Sequence, residues 1–75
     1  LADEAYVFFR RPAASPRRNV FWLDARGDLR GAARRLFALL RQLDARKFRR
    51  LHIELAPGGG LALAINDRLR RAAAR

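Results

Sequence analysis

The chain has no cysteine, so neither a disulfide framework nor a cysteine-rich zinc site is available to it. Absence of cysteine fits a reducing compartment, and a cytoplasmic placement is expected. There is no threonine, the only serine is Ser15, and the only histidine is His52. A Ser-His arrangement would need these two to meet, and Ser15 lies in a proline loop far from the strand pattern of His52. One histidine cannot supply a metal site either. No apolar run approaches the roughly 20 residues that cross a bilayer, and no secretory signal pattern is present. No membrane partner is expected.

Positive charge is abundant. The 75 residues hold 17 basic and 7 acidic side chains, for a net charge of +10. Sixteen of the 17 are arginine, Lys47 being the exception. This balance suits polyanionic partners. It also suits a GC-rich coding bias, because alanine and arginine rise together. A chain of this length makes one domain and buries only about 60% of the surface its unfolded form exposes. A single small α/β domain over residues 1–75 is expected, with no disulfide to reinforce its thin core.

The pattern along the chain is β-β-α-β-α. Ala5 to Phe9 (AYVFF) and Asn19 to Leu23 (NVFWL) are short aromatic and β-branched runs that read as strands. The Arg10–Arg18 segment between them contains two prolines and no period, and reads as a loop. Asp28 stands as an N-cap before a helix ending near Ala45. Leu29, Ala33, Leu36, Leu40 and Leu43 form its stripe, broadened by Ala32, Phe37 and Leu39. Leu51 to Leu55 (LHIEL) alternates, which predicts a strand with Leu51, Ile53 and Leu55 on one side. A last helix follows the glycine turn, with Leu61, Ile65, Leu69 and Ala72 on one face and an Asp67–Arg71 surface pair. The strand-helix-strand unit in the middle predicts parallel strands joined by a crossover. With both helices on one face, the sheet keeps an open face carrying His52 and Glu54.

Three groups of residues are candidates for contact with an anion or a nucleic acid. Arg10, Arg11, Arg17 and Arg18 flank the proline loop, and Arg46, Lys47, Arg49 and Arg50 crowd the turn after the first helix. Gly58, Gly59 and Gly60 precede a helix, where free N–H groups attract phosphate. That turn matches neither G-x-G-x-x-G nor the Walker pattern, so a plain turn built on positive φ competes with a phosphate cradle. No catalytic constellation and no cofactor site is found.

The segments GDLRGAARRLFALLRQLDA and GGGLALAINDRLRRAAA, separated by a strand, resemble the C-terminal domain of L-threonylcarbamoyladenylate synthases. Members typically read G-D-L-x-E-A-A-x-x-L-F-x-x-L-R-x-L-D, then a strand, a Pro-x-x-G-L-G turn and A-I-N-D-R-L-x-R-A-A. Gly27, Asp28, Leu36, Phe37, Arg41, Asp44, Pro57, Gly60, Leu61, Asn66, Asp67 and Arg68 are among the matches. Gly31 departs where glutamate is common, and Ala62 replaces the second turn glycine. The resemblance implies a small Rossmann-like unit with a three-stranded sheet and two helices packed on it. It implies an accessory domain of a longer protein, without catalytic activity of its own, serving the t6A modification of tRNA. ATP and threonine would belong to a separate catalytic YrdC-like domain. The partner is that domain, or a second copy through the open sheet face. A small basic tRNA-binding module is the alternative. Within the signature helix Asn66, Asp67 and Arg68 stand out. Arg68 falls about 20° from Leu61 on the helix wheel, which predicts pairing with a carboxylate, Asp24 or Asp44.

Overall fold

A computed structural model describes residues 3–13 and 19–74. The elements are β1 (Glu4–Arg10), β2 (Val20–Asp24), α1 (Leu29–Arg46), β3 (Arg50–Ile53) and α2 (Leu61–Ala73). The expected β-β-α-β-α order is therefore present, with boundaries shifted by one or two residues. The sheet order is β2-β1-β3, with β1 parallel to both neighbours. The β2-α1-β3 crossover is thus parallel as expected, but it steps over β1, and β2 and β3 do not touch edge to edge. This is a small Rossmann-like α/β unit.

Burial alternates along β1. Ala5, Val7 and Phe9 are buried, while Glu4, Tyr6 and Phe8 are half-buried on the other face. One core forms between that first row and the helices, joined by Leu23, Ala32, Leu36, Leu39, Leu43, Ile65 and Leu69. The strand period of two and the helical period of 3.6 aim both sets at the same layer. Phe48 closes the core below α1 and meets Phe21 edge to face, with ring centroids 5.9 Å apart.

Local signals set the ends of α1. Asp28 takes extended backbone angles and its carboxylate accepts from the Gly31 N–H at 2.9 Å, as an N-cap should. At the other end Lys47 adopts φ 54°, and its N–H reaches the carbonyls of Leu43 and Asp44. That left-handed cap is normally a glycine position.

Four sequence expectations need correction. Leu61 does not lie on the buried face of α2. It is 42% exposed, and Ala62, Ile65, Asn66 and Leu69 form the buried stripe instead. Phe37 does not broaden the α1 stripe, being 53% exposed. Leu55 lies beyond the end of β3 and is exposed, so the alternation of that strand stops at Ile53. Arg68 pairs with neither Asp24 nor Asp44. It is exposed, and its guanidinium lies 5.5 Å from the centre of the Phe37 ring. The buried face of α2 lies about 50° round the helix from the one expected, which explains the first and last together: with Ala62 rather than Leu61 facing inward, Arg68 turns out toward Phe37.

Candidate functional site

Parallel α/β sheets bind ligands where loops leave the carboxyl ends of their strands. Here those ends are filled by the chain itself. Asp24 closes β2, and its carboxylate accepts from the N–H groups of Arg26 and Asp28, each at 2.9 Å. These amide hydrogen bonds, that of Asp28 foremost, hold its pKa below the ordinary aspartate range. A Cβ on Gly31 would fall on the Asp24 carboxylate, so helix and turn approach closely only because position 31 lacks a side chain. Two carboxylates, Asp24 and Asp28, thus occupy the N-terminus of α1.

Beside them, β1 outruns β3, and the Glu54 side chain supplies the missing rung. The Glu54 backbone N–H donates to the Val7 carbonyl at 2.8 Å, and the side-chain carboxylate accepts from the Phe9 N–H at 2.9 Å. The glycine turn comes next. Gly58 and Gly60 have φ of 93° and 56°, and a Cβ on any of Gly58, Gly59 or Gly60 would meet nothing within 4 Å. The positive angles account for the glycines as a turn, and no side chain converges on it to complete a phosphate site.

The basic candidates separate into two groups. Arg10 ends β1 and Arg11 follows it, whereas Arg49 precedes β3 and Arg50 begins it beside Asp3 and Glu4, at the opposite end of a parallel sheet. Six residues of strand place the two groups about 20 Å apart. Three of the six described cations are engaged through their side chains. The Arg11 guanidinium lies 5.2 Å from the Trp22 ring centre. Arg46 donates to the Asn19 side-chain oxygen at 3.1 Å and lies over Phe48 at 5.0 Å. Arg49 pairs with Asp3 at 3.4 Å. Lys47 is fixed as the helix cap, while Arg17 and Arg18 lie outside the described residues. An open cleft of 380 Å³ lined by Asp3, Glu4, Arg49 and Arg50 carries two charges of each sign, which gives it no preference for an anion.

Within the signature helix the three residues have three different roles. Asn66 is buried and clamps the Ala56 backbone twice. Its side-chain oxygen accepts from the Ala56 N–H at 2.7 Å, and its amide donates to the Ala56 carbonyl at 2.9 Å. Asp67 pairs with Arg71 at 3.3 Å, the expected i,i+4 contact. Arg68 covers Phe37. The first role escaped sequence reasoning, because nothing in the pattern tells which of three neighbouring polar residues turns inward.

The sheet face opposite the helices is the remaining surface. Tyr6 stands between Val20 and His52 in one row, and Phe8 beside Trp22 in the next. The Tyr6 and His52 rings stack at 4.6 Å and 11°. His52 Nε2 lies 2.8 Å from Glu4 Oε1, a hydrogen bond that lowers the Glu4 pKa. Among the aromatic strand residues, Phe9 and Phe21 pack in the core, whereas Tyr6, Phe8 and Trp22 alternate onto this second face. Among the described residues there is no cluster of three or more potential metal ligands, and no buried side-chain nitrogen or oxygen lacks a partner.

A three-stranded parallel sheet, helices on one face and strand ends filled by the chain's own carboxylates define a small Rossmann-like domain. The model of the family "Threonylcarbamoyl-AMP synthase, C-terminal domain" matches residues 2–74, and the chain belongs to that family. Membership associates it with threonylcarbamoyl-AMP synthases and the t6A modification of tRNA. No curated protein matches the chain, and no solved structure does. No helix among the described residues is long and apolar enough to cross a membrane.

Proposed function

We propose that the chain is a non-catalytic accessory domain that docks onto the catalytic YrdC-like domain of a threonylcarbamoyl-AMP synthase and regulates it. The observation that carries this reading is the pairing of family membership with strand ends closed by the chain's own carboxylates, Asp24, Asp28 and Glu54. A domain so filled supports a partner's chemistry, and ATP and threonine belong to that partner. The test is a titration of the chain into a YrdC-like catalytic domain, following binding and the rate of threonylcarbamoyl-AMP formation. Saturable binding with an altered rate is expected, and no product from the chain alone. Turnover by the 75 residues, or no binding, overturns the reading.

A small tRNA-binding module is the second reading, favoured by the net charge of +10. Phosphate contacts make such binding fall steeply with salt. The geometry lends it less support, since the two basic groups lie at opposite ends of the sheet and Arg11, Arg46 and Arg49 are engaged. Titrating tRNA at two salt concentrations separates the readings: micromolar affinity with a steep salt slope favours the second.

A further inference from the structure

Strand β2 is an edge of the sheet, and among the described residues no strand pairs with its outer side. The Tyr6 N–H donates to the Asn19 carbonyl at 2.8 Å, with Tyr6 in register with Val20 and Phe8 with Trp22. In a parallel ladder alternate residues turn both backbone groups to the same side. Asn19, Phe21 and Leu23 therefore bond toward β1, and the N–H and C=O groups of Val20 and Trp22 point away from it. Natural sheets blunt such an edge with a bulge, a proline or a charge. From Val20 to Leu23 the strand keeps one register with β1, and its side chains are all apolar, with no proline. We propose that this edge takes up an extended acidic segment of a partner protein as a fourth strand. The proposal rests on the docking reading above, in that the domain acts by binding another polypeptide, and it names the surface and the chemistry of the segment.

Backbone groups select an extended chain, and the groove beside them selects its charge. A cleft of 230 Å³ between the edge and α1 is lined by Val20, Phe21, Trp22, Arg35 and Gln42. Side chains of an added strand alternate, so one set enters this cleft and the other lies beside Val20 and Trp22 on the open face. Of the five lining residues Arg35 alone is charged. It is exposed and makes no hydrogen bond or ion pair with a described residue. Helix α1 carries five arginines and one acid, Asp44, which falls half a turn round the helix from Arg35, on the opposite flank. Asp24, at the end of β2, is held by the amides of Arg26 and Asp28. A carboxylate on the added strand thus meets an uncompensated guanidinium.

Two other occupants fit less well. A second copy pairing edge to edge would set one α1 beside the other, with five arginines on each, and like charges oppose that contact. The phosphates of a nucleic-acid strand only accept hydrogen bonds, which leaves the outward carbonyls of Val20 and Trp22 without donors.

Trp22 is the only tryptophan and lines the cleft, so its emission reports occupancy. The probes are a synthetic eight-residue peptide alternating valine and glutamate, and its valine–lysine counterpart. Two further versions of the first are methylated at alternate backbone nitrogens, in opposite phases, and a 12-nucleotide oligouridine completes the set. In the free chain the Val20 and Trp22 amides should exchange with solvent faster than those of Phe21 and Leu23. The glutamate peptide is expected to slow their exchange at least tenfold, to shift Trp22 emission saturably and to bind at least tenfold tighter than the lysine peptide. One methylation phase should abolish binding, and the other should keep it within about threefold. Arg35→Glu should reverse the preference between the two peptides, with circular dichroism confirming that the variant stays folded. Val20 and Trp22 amides already protected in the free chain, equal effects of the two methylation phases, or an unchanged preference in Arg35→Glu overturns the proposal. So does tighter binding of oligouridine, or an emission shift that grows with chain concentration alone. The catalytic-domain titration keeps the two readings apart. If that domain binds and the Val20 and Trp22 amides exchange as before, docking stands and this edge is excluded. If the glutamate peptide binds and the catalytic domain does not, the edge stands and that partner falls.

Discussion

Asn66 shows how one polar side chain substitutes for secondary structure. Ala56 sits in the segment between β3 and α2, buried, where neither sheet nor helix offers its backbone a partner. The Asn66 amide satisfies both its N–H and its carbonyl. Asn66→Ala leaves both groups unpaired in the interior. Each orphaned group costs on the order of 1–3 kcal/mol, so a loss of about 2–4 kcal/mol is expected, read as a lower urea midpoint at unchanged slope. Gly31 is the second such residue. Alanine ordinarily stabilises a helix over glycine by about 1 kcal/mol, yet here its Cβ would land on the Asp24 carboxylate, which two amides hold in place. Gly31→Ala is expected to destabilise the fold by about 1–3 kcal/mol, the usual range for overpacking. In the Asp24→Ala background the same substitution should cost much less. Additive effects in that double-mutant cycle would show that the close approach is not the cause.

At the scale of elements, the β2-α1 junction carries the pH response. The fold holds Asp24 ionised by donating amide hydrogens to it, so its pKa is lower folded than unfolded. Such a group contributes stability that is complete above the ordinary aspartate pKa of about 4 and is lost as pH falls through the depressed value. Glu4 is lowered in the same direction by His52 and adds to the same acid limb. Thermal midpoints measured from pH 6 to pH 2 should therefore fall, and Asp24→Asn should flatten part of that fall while the Glu4 share persists. An unchanged acid limb in Asp24→Asn would remove the junction from this role. Helix α1 and β2 are linked here by one short turn, so protonation at its centre acts on both elements at once.

For the whole molecule, charge and size oppose each other. A core of this extent is thin, and a net +10 repels itself across a compact body with a radius of gyration of 11.6 Å. Salt screens such repulsion over about 10 Å at 0.1 M. Raising sodium chloride from 10 to 200 mM is expected to raise the thermal midpoint by about 5 °C, corresponding to about 1 kcal/mol in a domain of this size. A midpoint that falls instead would mean that attractive pairs such as Asp67–Arg71 outweigh the repulsion.

What the sequence determined by itself was everything local. The Asp28 cap, the long α1 stripe, the Asp67–Arg71 pair and the order of elements depend on neighbours within one or two turns, so periodicity and cap chemistry reveal them. The parallel crossover was also legible, because a strand-helix-strand unit has few ways to close. Tertiary structure decided the rest. Only folding placed β1 between β2 and β3, brought Asp24 onto Gly31, and turned Asn66 inward while rotating Leu61 and Arg68 outward. A helix with apolar residues on several sides has no single inward face until a sheet chooses one. The two faces of the sheet obey the same rule: alternation separates Tyr6, Phe8 and Trp22 from Ala5, Val7 and Phe9, but which row meets the helices is settled by packing.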